Sequence, residues 1–241
     1  MKVVIAYVVV SQGQLTMPWA SRFAATLAQY PPGADYELLL CCQGGPPPTD
    51  IGLLFSPFPH KVWPRENDPG WDISAYINAA RGPAADADLL ICLGETVYAH
   101  KEGWLLRLLQ ARERWGAGMF GFFSSNVVRP HMNTTGFATH PMLLRDYPMH
   151  ITTRGDRYVF EHGIQSFWRY VAFQRAMPTK LVTWDGEWDP HQWRVPRNIL
   201  WRGDQTNCLL WCNHADAYAN TDPNTRALWA RNSDQPWVGP M

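Results

Sequence analysis

The segment Asp88-Leu89-Leu90-Ile91-Cys92-Leu93-Gly94-Glu95-Thr96 decides the fold of this chain. Its apolar run has the length of one strand and lies between an acidic residue and a glycine, which is typical of a central strand buried on both faces. A leucine-rich helix is predicted to follow over residues 103–114. Because ligands bind beyond the carboxyl ends of the strands in open α/β sheets, we expect Glu95 and Thr96 to lie at a ligand site.

The residues before this segment predict a parallel βαβ unit. The runs 2–10 and 36–42 are apolar and typical of buried strands, and residues 19–30 between them carry apolar side chains at helical spacing. Two strands joined by a helical crossover lie parallel in one sheet. A second helix is predicted over residues 71–81, after a proline-rich loop with a short apolar piece at 60–63.

The residues after the central segment predict more of the same architecture. They indicate a strand over 119–123, a short helix over 142–147, a helical segment over 156–175 and a strand over 180–184. The C-terminal stretch is aromatic and rich in turn residues, and we expect it to pack on the sheet. The predicted fold class is therefore α/β, a single Rossmann-type domain with a mostly parallel central sheet flanked by helices.

The composition excludes some classes of partner. The chain of 241 residues has 21 basic and 21 acidic residues and no polybasic block, which argues against strong nonspecific binding to nucleic acids or membranes. A local excess of basic residues between Arg145 and Arg202 leaves a basic face possible. The five cysteines show no zinc-binding spacing and are expected to be reduced. Because the run Val3 to Val10 is too short to span a membrane, we expect a protein of the bacterial or virus-infected cytoplasm without stable membrane insertion.

Four segments carry a likeness to a known enzyme family. They are Val3-Val4-Ile5-Ala6-Tyr7, Leu38-Leu39-Leu40-Cys41-Cys42-Gln43-Gly44, residues 70–81, and the central segment leading to Gly103-Trp104-Leu105. In this order they resemble the GT-A-type nucleotide-sugar glycosyltransferases over residues 2–145. The resemblance implies a GT-A-like domain over 1–241 that moves a sugar from a nucleotide-diphosphate donor to a hydroxyl acceptor. Residues 1–125 would bind the nucleotide sugar and residues 126–241 the acceptor.

The chain departs from this family at the carboxylate motif after the central strand. The family's Asp-x-Asp holds a divalent metal against the donor diphosphate, and Gly94-Glu95-Thr96 stands in its place. Glu95 would hold Mg²⁺ or Mn²⁺ together with substrate phosphates, or metal dependence would be weak or absent. A weaker likeness around Asp204 and His214 implies that His214 or Asp216 completes the coordination. The alternative is a capping Asp204 and a surface His214.

The strand ends and the resemblance together predict the donor-binding residues. Gln43 is placed to hydrogen-bond a base, Asp72 to orient a ribose or sugar hydroxyl, and Arg157 to neutralise the diphosphate. Structural alternatives stay open: a turn for Gln43, a helix N-terminus for Asp72, a helix cap for residues 94–96 and ordinary surface charge for Arg157. Tyr7 and Val9 of the first strand would either flank the base or belong to the core. The full predicted set is Tyr7, Val9, Gln43, Asp72, Gly94, Glu95, Thr96 and Arg157.

Glu161 is the predicted general base. Sugar transfer to a hydroxyl needs a carboxylate that takes the acceptor proton as the anomeric carbon gains positive charge. Glu161 lies between an aromatic residue and a histidine, surroundings that raise a carboxyl pKa when they bury it. Asp156 is the second candidate, and an exposed helix residue is the structural alternative for Glu161.

Polar and aromatic residues of the second half are predicted to bind the acceptor. A polar cluster follows the fourth strand, and tryptophans, of which the chain has 13, are suited to stacking on a sugar or an unpaired base. Turn residues and core tryptophans are the structural alternatives. The predicted acceptor-binding residues are His131, Thr134, Thr135, Trp168, Asp204 and Gln205.

The predicted function is that of a glycosyltransferase with one of two kinds of acceptor. These are a surface glycan or lipid-linked saccharide and a hydroxymethylated DNA base of a virus that modifies its genome. The shortened carboxylate motif favours a second class, a non-catalytic nucleotide-sugar or glycan-binding protein on the same fold. A nucleotidyltransferase is disfavoured because the loop 11–15 after the first strand has no basic residue.

Overall fold

The computed structural model describes residues 1–11, 16–65, 71–125, 130–193 and 205–234. Its strands are β1 (Val3–Val10), β2 (Glu37–Gln43), β3 (His60–Arg65), β4 (Leu89–Leu93), β5 (Met119–Gly121), β6 (Ser124–Ser125), β7 (His131–Met132), β8 (Gly136–Thr139), β9 (Thr179–Val182) and β10 (Glu187–Trp188). Within these residues, eight strands form one sheet in the order β10-β9-β5-β8-β4-β1-β2-β3, and β6 pairs separately with β7. The neighbours from β3 to β4 and the pair β5 and β9 are parallel, whereas β8 and β10 run antiparallel to their neighbours.

Helices connect the strands and cover the sheet. They are α1 (Thr16–Gln29), α2 (Ile51–Leu54), α3 (Trp71–Arg81), α4 (Trp104–Trp115), α5 (Pro141–Arg145), α6 (Arg154–His162), α7 (Phe167–Arg169), α8 (Asn213–Asn220) and α9 (Pro223–Asp234). A π-helical turn, Tyr170–Gln174, continues α7, and a 3₁₀ turn, Pro190–Gln192, follows β10. The observed bounds of α3 and β4 coincide with the predicted ranges.

The central strand β1 is buried on both faces because helices cover both sides of the sheet. Ile5 and Tyr7 pack in a core with α1 and α4, whereas Ala6 and Val8 pack in a second core with α3, α5 and α6. This division follows from the alternation of side chains between the two faces of a strand. The predicted fold class, an α/β domain with a mostly parallel central sheet flanked by helices, is confirmed.

The strand β8 is an element that the sequence did not predict. It has only four residues, yet it pairs with β4 on one side and β5 on the other, so distant partners stabilise it rather than its own pattern. Gly136 begins it, and a Cβ there would lie 3.0 Å from the rings of Phe122 and Phe123. A glycine therefore allows these two aromatic rings to pack against the strand.

Two predicted helical and turn regions need correction. The helical segment predicted over 156–175 is interrupted after His162, where Gly163 is extended and a Cβ would lie 2.7 Å from the carbonyl oxygen of Val159. The C-terminal region, predicted to be rich in turns, contains α8 and α9. Burial of Ala215 and Tyr218 on one side of α8 shows that tertiary packing stabilises this short helix.

Replacing Gly118 by alanine is expected to lower the free energy of unfolding by about 2 kcal/mol. A Cβ at Gly118 would lie 2.2 Å from the carbonyl oxygen of Pro178, which accepts the hydrogen bond from the Met119 N–H at the start of β5. Urea unfolding measures the change. The control is Gly155→Ala in α6, where the nearest heavy atom would be 3.5 Å away and helix propensity favours alanine. Equal loss in both variants would contradict the steric explanation.

Candidate functional site

A cavity of about 530 Å³ opens at the carboxyl ends of β1, β2 and β4. From β1 the chain continues to β2 and β3 on one side of β1 in the sheet, whereas β4 is added on the opposite side. The order of strand addition therefore reverses between β1 and β4. Ligands of open α/β sheets bind at such a reversal. The cavity is lined by Val8, Val10, Gln43, Gly44, Trp71, Asp72, Gly94, Glu95, Thr96, Thr135, Arg157, Asn213 and His214.

The turn after β4 presents Glu95 and Thr96 to the cavity. The Gly94 N–H donates to the Thr135 carbonyl at 2.7 Å, and a Cβ at Gly94 would lie 3.1 Å from the Thr135 methyl group. The Val97 N–H closes the turn by donating to the Gly94 carbonyl at 3.1 Å. The helix α4 begins after Gly103, so residues 94–96 do not cap it as the structural alternative supposed.

Asp72 and Arg157 form an ion pair on the cavity wall. Arg157 Nη2 donates to Asp72 Oδ2 at 3.2 Å, and Nε lies 3.1 Å from Oδ1. Burial raises the pKa of the Asp72 carboxyl, and the Arg157 charge opposes this rise. Asp72 also accepts the Ile73 N–H at 3.1 Å, so it serves the N-terminus of α3 as well. The pair joins α3 to α6 across residues that are distant in sequence.

The half-buried carboxylate of Glu95 and the imidazole of His214 line the same cavity. Burial raises the pKa of Glu95, and repulsion from Asp72 raises it further. Burial lowers the pKa of His214, which favours the neutral imidazole that can act as a metal ligand. Thr96 Oγ1 donates to Asn213 Oδ1 at 2.9 Å and thereby ties the turn after β4 to α8. A cation would relieve the repulsion between the two carboxylates.

Glu161 lies beside the cavity, one turn after Arg157 on α6. The Thr134 N–H donates to its Oε1 at 2.9 Å. His131 Nε2 lies 3.9 Å from Oε1, and His162 Nε2 lies 3.4 Å from Oε2. The Glu161 charge also acts on groups that line the cavity, because it favours the charged form of His214 and disfavours that of Asp72.

Four predicted site residues lie inside the protein and away from this cavity. Tyr7 is stacked on Phe23 of α1 with ring centroids 4.2 Å apart, and Val9 is buried in the same core. Trp168 packs against Trp193. Gln205 is buried, and its backbone carbonyl accepts the indole N–H of Trp211 at 2.9 Å. Asp204 lies outside the described residues. Tyr7 supports the site indirectly, because its hydroxyl donates to the backbone carbonyl of the cavity residue Glu95.

Two further predicted carboxylates have structural partners. Asp156 forms a capping box with Thr153 at the start of α6 and also accepts the Thr152 N–H at 3.0 Å. These hydrogen bonds lower its pKa, the opposite of what a proton acceptor needs. Asp216 is paired with Arg22 of α1 at 2.7 Å and accepts from the Tyr98 hydroxyl, so it fastens α8 to α1.

Five residues of the cavity lining were not among the predicted site residues: Val8, Val10, Gly44, Trp71 and Asn213. Trp71 is 52% exposed and has a φ of 58°, a left-handed conformation that is uncommon for residues other than glycine. Its signal in the sequence is an aromatic residue at the start of a helix after Pro69 and Gly70. Asn213 gives no such signal, because only the packing of α8 brings it to the turn after β4.

Among the described residues, none of the helices combines the length and the apolar character needed to cross a membrane.

Within the part of the chain that the structure describes, His131, Glu161 and His162 bring three potential metal-ligand atoms within 4.8 Å of one another. The predicted pair of metal ligands, Glu95 and His214, both line the cavity.

Comparison with known proteins identifies no family for this chain and gives only weak structural similarity. No family model and no curated protein matches the chain. Solved structures that it resembles include S. aureus TarS (13% identity, TM-score 0.46, 62% of this chain and 30% of that chain) and HddC from Yersinia pseudotuberculosis (12%, 0.45, 76% and 89%). The galactosyltransferase LgtC in complex with donor and acceptor sugar analogs is 11% identical with a TM-score of 0.44 over 65% and 63% of the two chains. The chain spans 30% to 49% of the TarS chains, and similarity at this level identifies no family for it.

Proposed function

We propose that this chain is a transferase that binds a nucleotide-sugar donor in the cavity and moves the sugar to a hydroxyl acceptor. The observation that carries the proposal is the position of the cavity, at the reversal between β1 and β4. Its size of about 530 Å³ lies in the usual range for small-molecule sites. Its lining combines two carboxylates, an arginine and two side-chain amides, groups suited to hydroxyls, phosphates and a base.

The charges of the cavity suggest how a donor diphosphate would bind. Arg157 supplies one positive charge and the N–H donors of its guanidinium, while Asp72 and Glu95 would repel an anion. A divalent cation held by Glu95 and His214 would offset the repulsion between these carboxylates and the phosphates. It would also neutralise the diphosphate leaving group. Gln43 at the end of β2 would hydrogen-bond the base. Gln43, Glu95 and Arg157 therefore keep the donor-binding roles that were predicted for them from the sequence.

Glu161 is the proposed proton acceptor for the attacking hydroxyl. Its carboxylate accepts the Thr134 N–H. Thr135, which lines the cavity, and His131, which lies 3.9 Å from Glu161 Oε1, are the candidates for acceptor binding. The acceptor would be a glycan or a hydroxymethylated DNA base. All five cysteines are buried thiols, which fits a reducing compartment, so we also propose a cytoplasmic location.

A thermal-shift screen of nucleotide sugars with and without Mn²⁺ tests the proposal. A donor present at 100 times its dissociation constant should add about 2.7 kcal/mol to the free energy of unfolding, or roughly 5–10 °C in the melting temperature. Turnover of the best donor with hydroxymethylcytosine DNA or with glycan acceptors then identifies the acceptor class. Binding without any turnover would favour the non-catalytic alternative that the single carboxylate at Glu95 suggests, and no shift with any donor would overturn the proposal.

Replacing Arg157 by lysine is expected to weaken donor binding by about 10-fold, because the lysine keeps the charge and loses the forked geometry that pairs with both Asp72 and phosphate. Calorimetric titration of the donor found in the screen measures the change. Arg154→Lys is the matched control, since Arg154 is an exposed residue of the same helix. The same affinity in both variants would remove Arg157 from the donor site.

A further inference from the structure

Three metal-ligating side chains converge beside the cavity. His131 comes from β7, while Glu161 and His162 are the last two residues of α6. The side chain of His131 is 3% exposed and those of Glu161 and His162 are 13% exposed, so the group is largely withdrawn from solvent. We propose that these three side chains form a binding site for a transition-metal cation of the Zn²⁺ class, separate from the site at Glu95.

The distances within the group fit a shared ion. Three ligands at about 2.1 Å from one tetrahedral metal are roughly 3.4 Å from one another. His162 Nε2 lies 3.4 Å from Glu161 Oε2, and His131 Nε2 lies 3.9 Å from Glu161 Oε1. One ligand atom from each residue lies within 4.8 Å of the others. The two short distances reach different oxygens of the Glu161 carboxylate, so binding one ion would require the imidazoles to move closer together.

The kinds of ligand select the kind of ion. Mg²⁺ and Ca²⁺ prefer oxygen ligands alone, whereas two imidazoles and one carboxylate suit Zn²⁺ and its first-row neighbours. The Thr134 N–H donates a hydrogen bond to the Glu161 carboxylate and fixes its orientation. Metal-ligating side chains are commonly oriented by such hydrogen bonds from neighbouring groups. Three protein ligands leave one tetrahedral position for water or a substrate oxygen. Glu95 and His214 offer a single carboxylate and a single imidazole, and they would need substrate phosphates to complete a shell.

This inference rests on the three side chains and not on the proposed function. It affects two roles of that function, because a carboxylate bound to a metal ion does not accept a proton and an imidazole bound to the same ion does not bind the acceptor. The role of Glu161 as proton acceptor therefore belongs to the protein free of transition metals, and an ion of the Zn²⁺ class should inhibit sugar transfer.

Titration of Co²⁺ into the full chain tests the site. The protein is stripped of metal, its purification tag is removed, and binding is followed by the visible absorption of Co²⁺, which Zn²⁺ should abolish by displacement. We expect one Co²⁺ per chain. His131→Ala, His162→Ala and Glu161→Gln should each weaken binding at least 10-fold. Because His131 is the most buried of the three, the more exposed His162 provides the decisive variant if His131→Ala does not fold.

Two control variants separate this site from the other histidines. His150→Ala removes an exposed histidine, and His214→Ala removes the imidazole of the cavity. Both should bind Co²⁺ like the wild type. The inference is overturned if binding is not stoichiometric, if His162→Ala binds normally, or if His214→Ala is the variant that loses binding. Donor binding is measured separately by thermal shift in Mg²⁺, so failure of the metal site and failure of the proposed function give different results.

Discussion

Replacing Glu161 by glutamine is expected to lower the rate of sugar transfer by roughly 10²- to 10⁴-fold and to leave donor binding almost unchanged. Glutamine has the same shape and its carbonyl can still accept the Thr134 N–H, but it cannot take a proton from the acceptor hydroxyl. The measurement is kcat for the best donor and acceptor, with protein stripped of transition metals and assayed in Mg²⁺. The donor dissociation constant is measured on the same sample.

The matched control is Glu113→Gln, which changes an exposed carboxylate on α4 in the same way. It should retain wild-type kcat. A Glu161→Gln enzyme that keeps more than about a tenth of the wild-type kcat would contradict the proton-acceptor role, since general-base catalysis contributes at least about 10². In that case the cavity could still bind the donor, because Glu161 does not line it.

Replacing Glu187 by alanine is expected to lower the free energy of unfolding by about 3 kcal/mol. The Glu187 side chain is 5% exposed and receives Arg107 Nη1 at 2.5 Å and Arg114 Nη1 at 2.7 Å. Removing the carboxylate leaves the Arg107 guanidinium, which is 15% exposed, without its counter-charge between α4 and β10. Urea unfolding at neutral pH measures the loss. Arg114→Ala is the control and should cost about 1 kcal/mol or less, because Arg114 is 66% exposed.

The same carboxylate makes part of the stability depend on pH. Burial alone would raise the pKa of Glu187, but Arg107, followed by Trp115 and Arg114, outweighs burial and holds the pKa below its usual range. A lowered folded-state pKa contributes stability above the unfolded value of about 4.3, and this contribution is lost as the pH falls through the folded value. The difference between wild type and Glu187→Ala should therefore shrink in acid. A difference that stays constant down to the acid transition would contradict this explanation.

Local sequence patterns predicted the centre of the fold, because the elements there are buried and their burial is visible as apolar runs or apolar periodicity. The strand β4 is apolar throughout, and Ile73, Tyr76, Ile77 and Ala80 of α3 recur at helical spacing, so the bounds of both elements follow from composition and periodicity. The strand β8 has neither signal, and it exists because β4 and β5 offer it partners on both sides. Pairing between distant residues is not visible in a stretch of four residues.

The site was predictable to the extent that strand ends define it. Gln43 at the end of β2 and Glu95 just after β4 both line the cavity, as expected from the sequence. Which face of β1 meets the cavity was not predictable, because all its residues are apolar: Val8 and Val10 line the cavity, whereas the neighbouring Tyr7 and Val9 point into the core with α1. The pairing of Asp72 with Arg157, 85 positions apart, likewise requires the packing of α3 against α6.

Hydrogen–deuterium exchange with the best nucleotide sugar tests most directly whether the cavity at the ends of β1, β2 and β4 is the donor site. Exchange is read peptide by peptide with and without the ligand, with Arg157→Lys as the weakened reference. Binding should slow exchange in the turn 94–97, at the end of β2 and in the first turn of α3, and more weakly in the variant. Protection confined to other parts of the chain, or no protection at a ligand concentration that raises the melting temperature, would contradict the assignment.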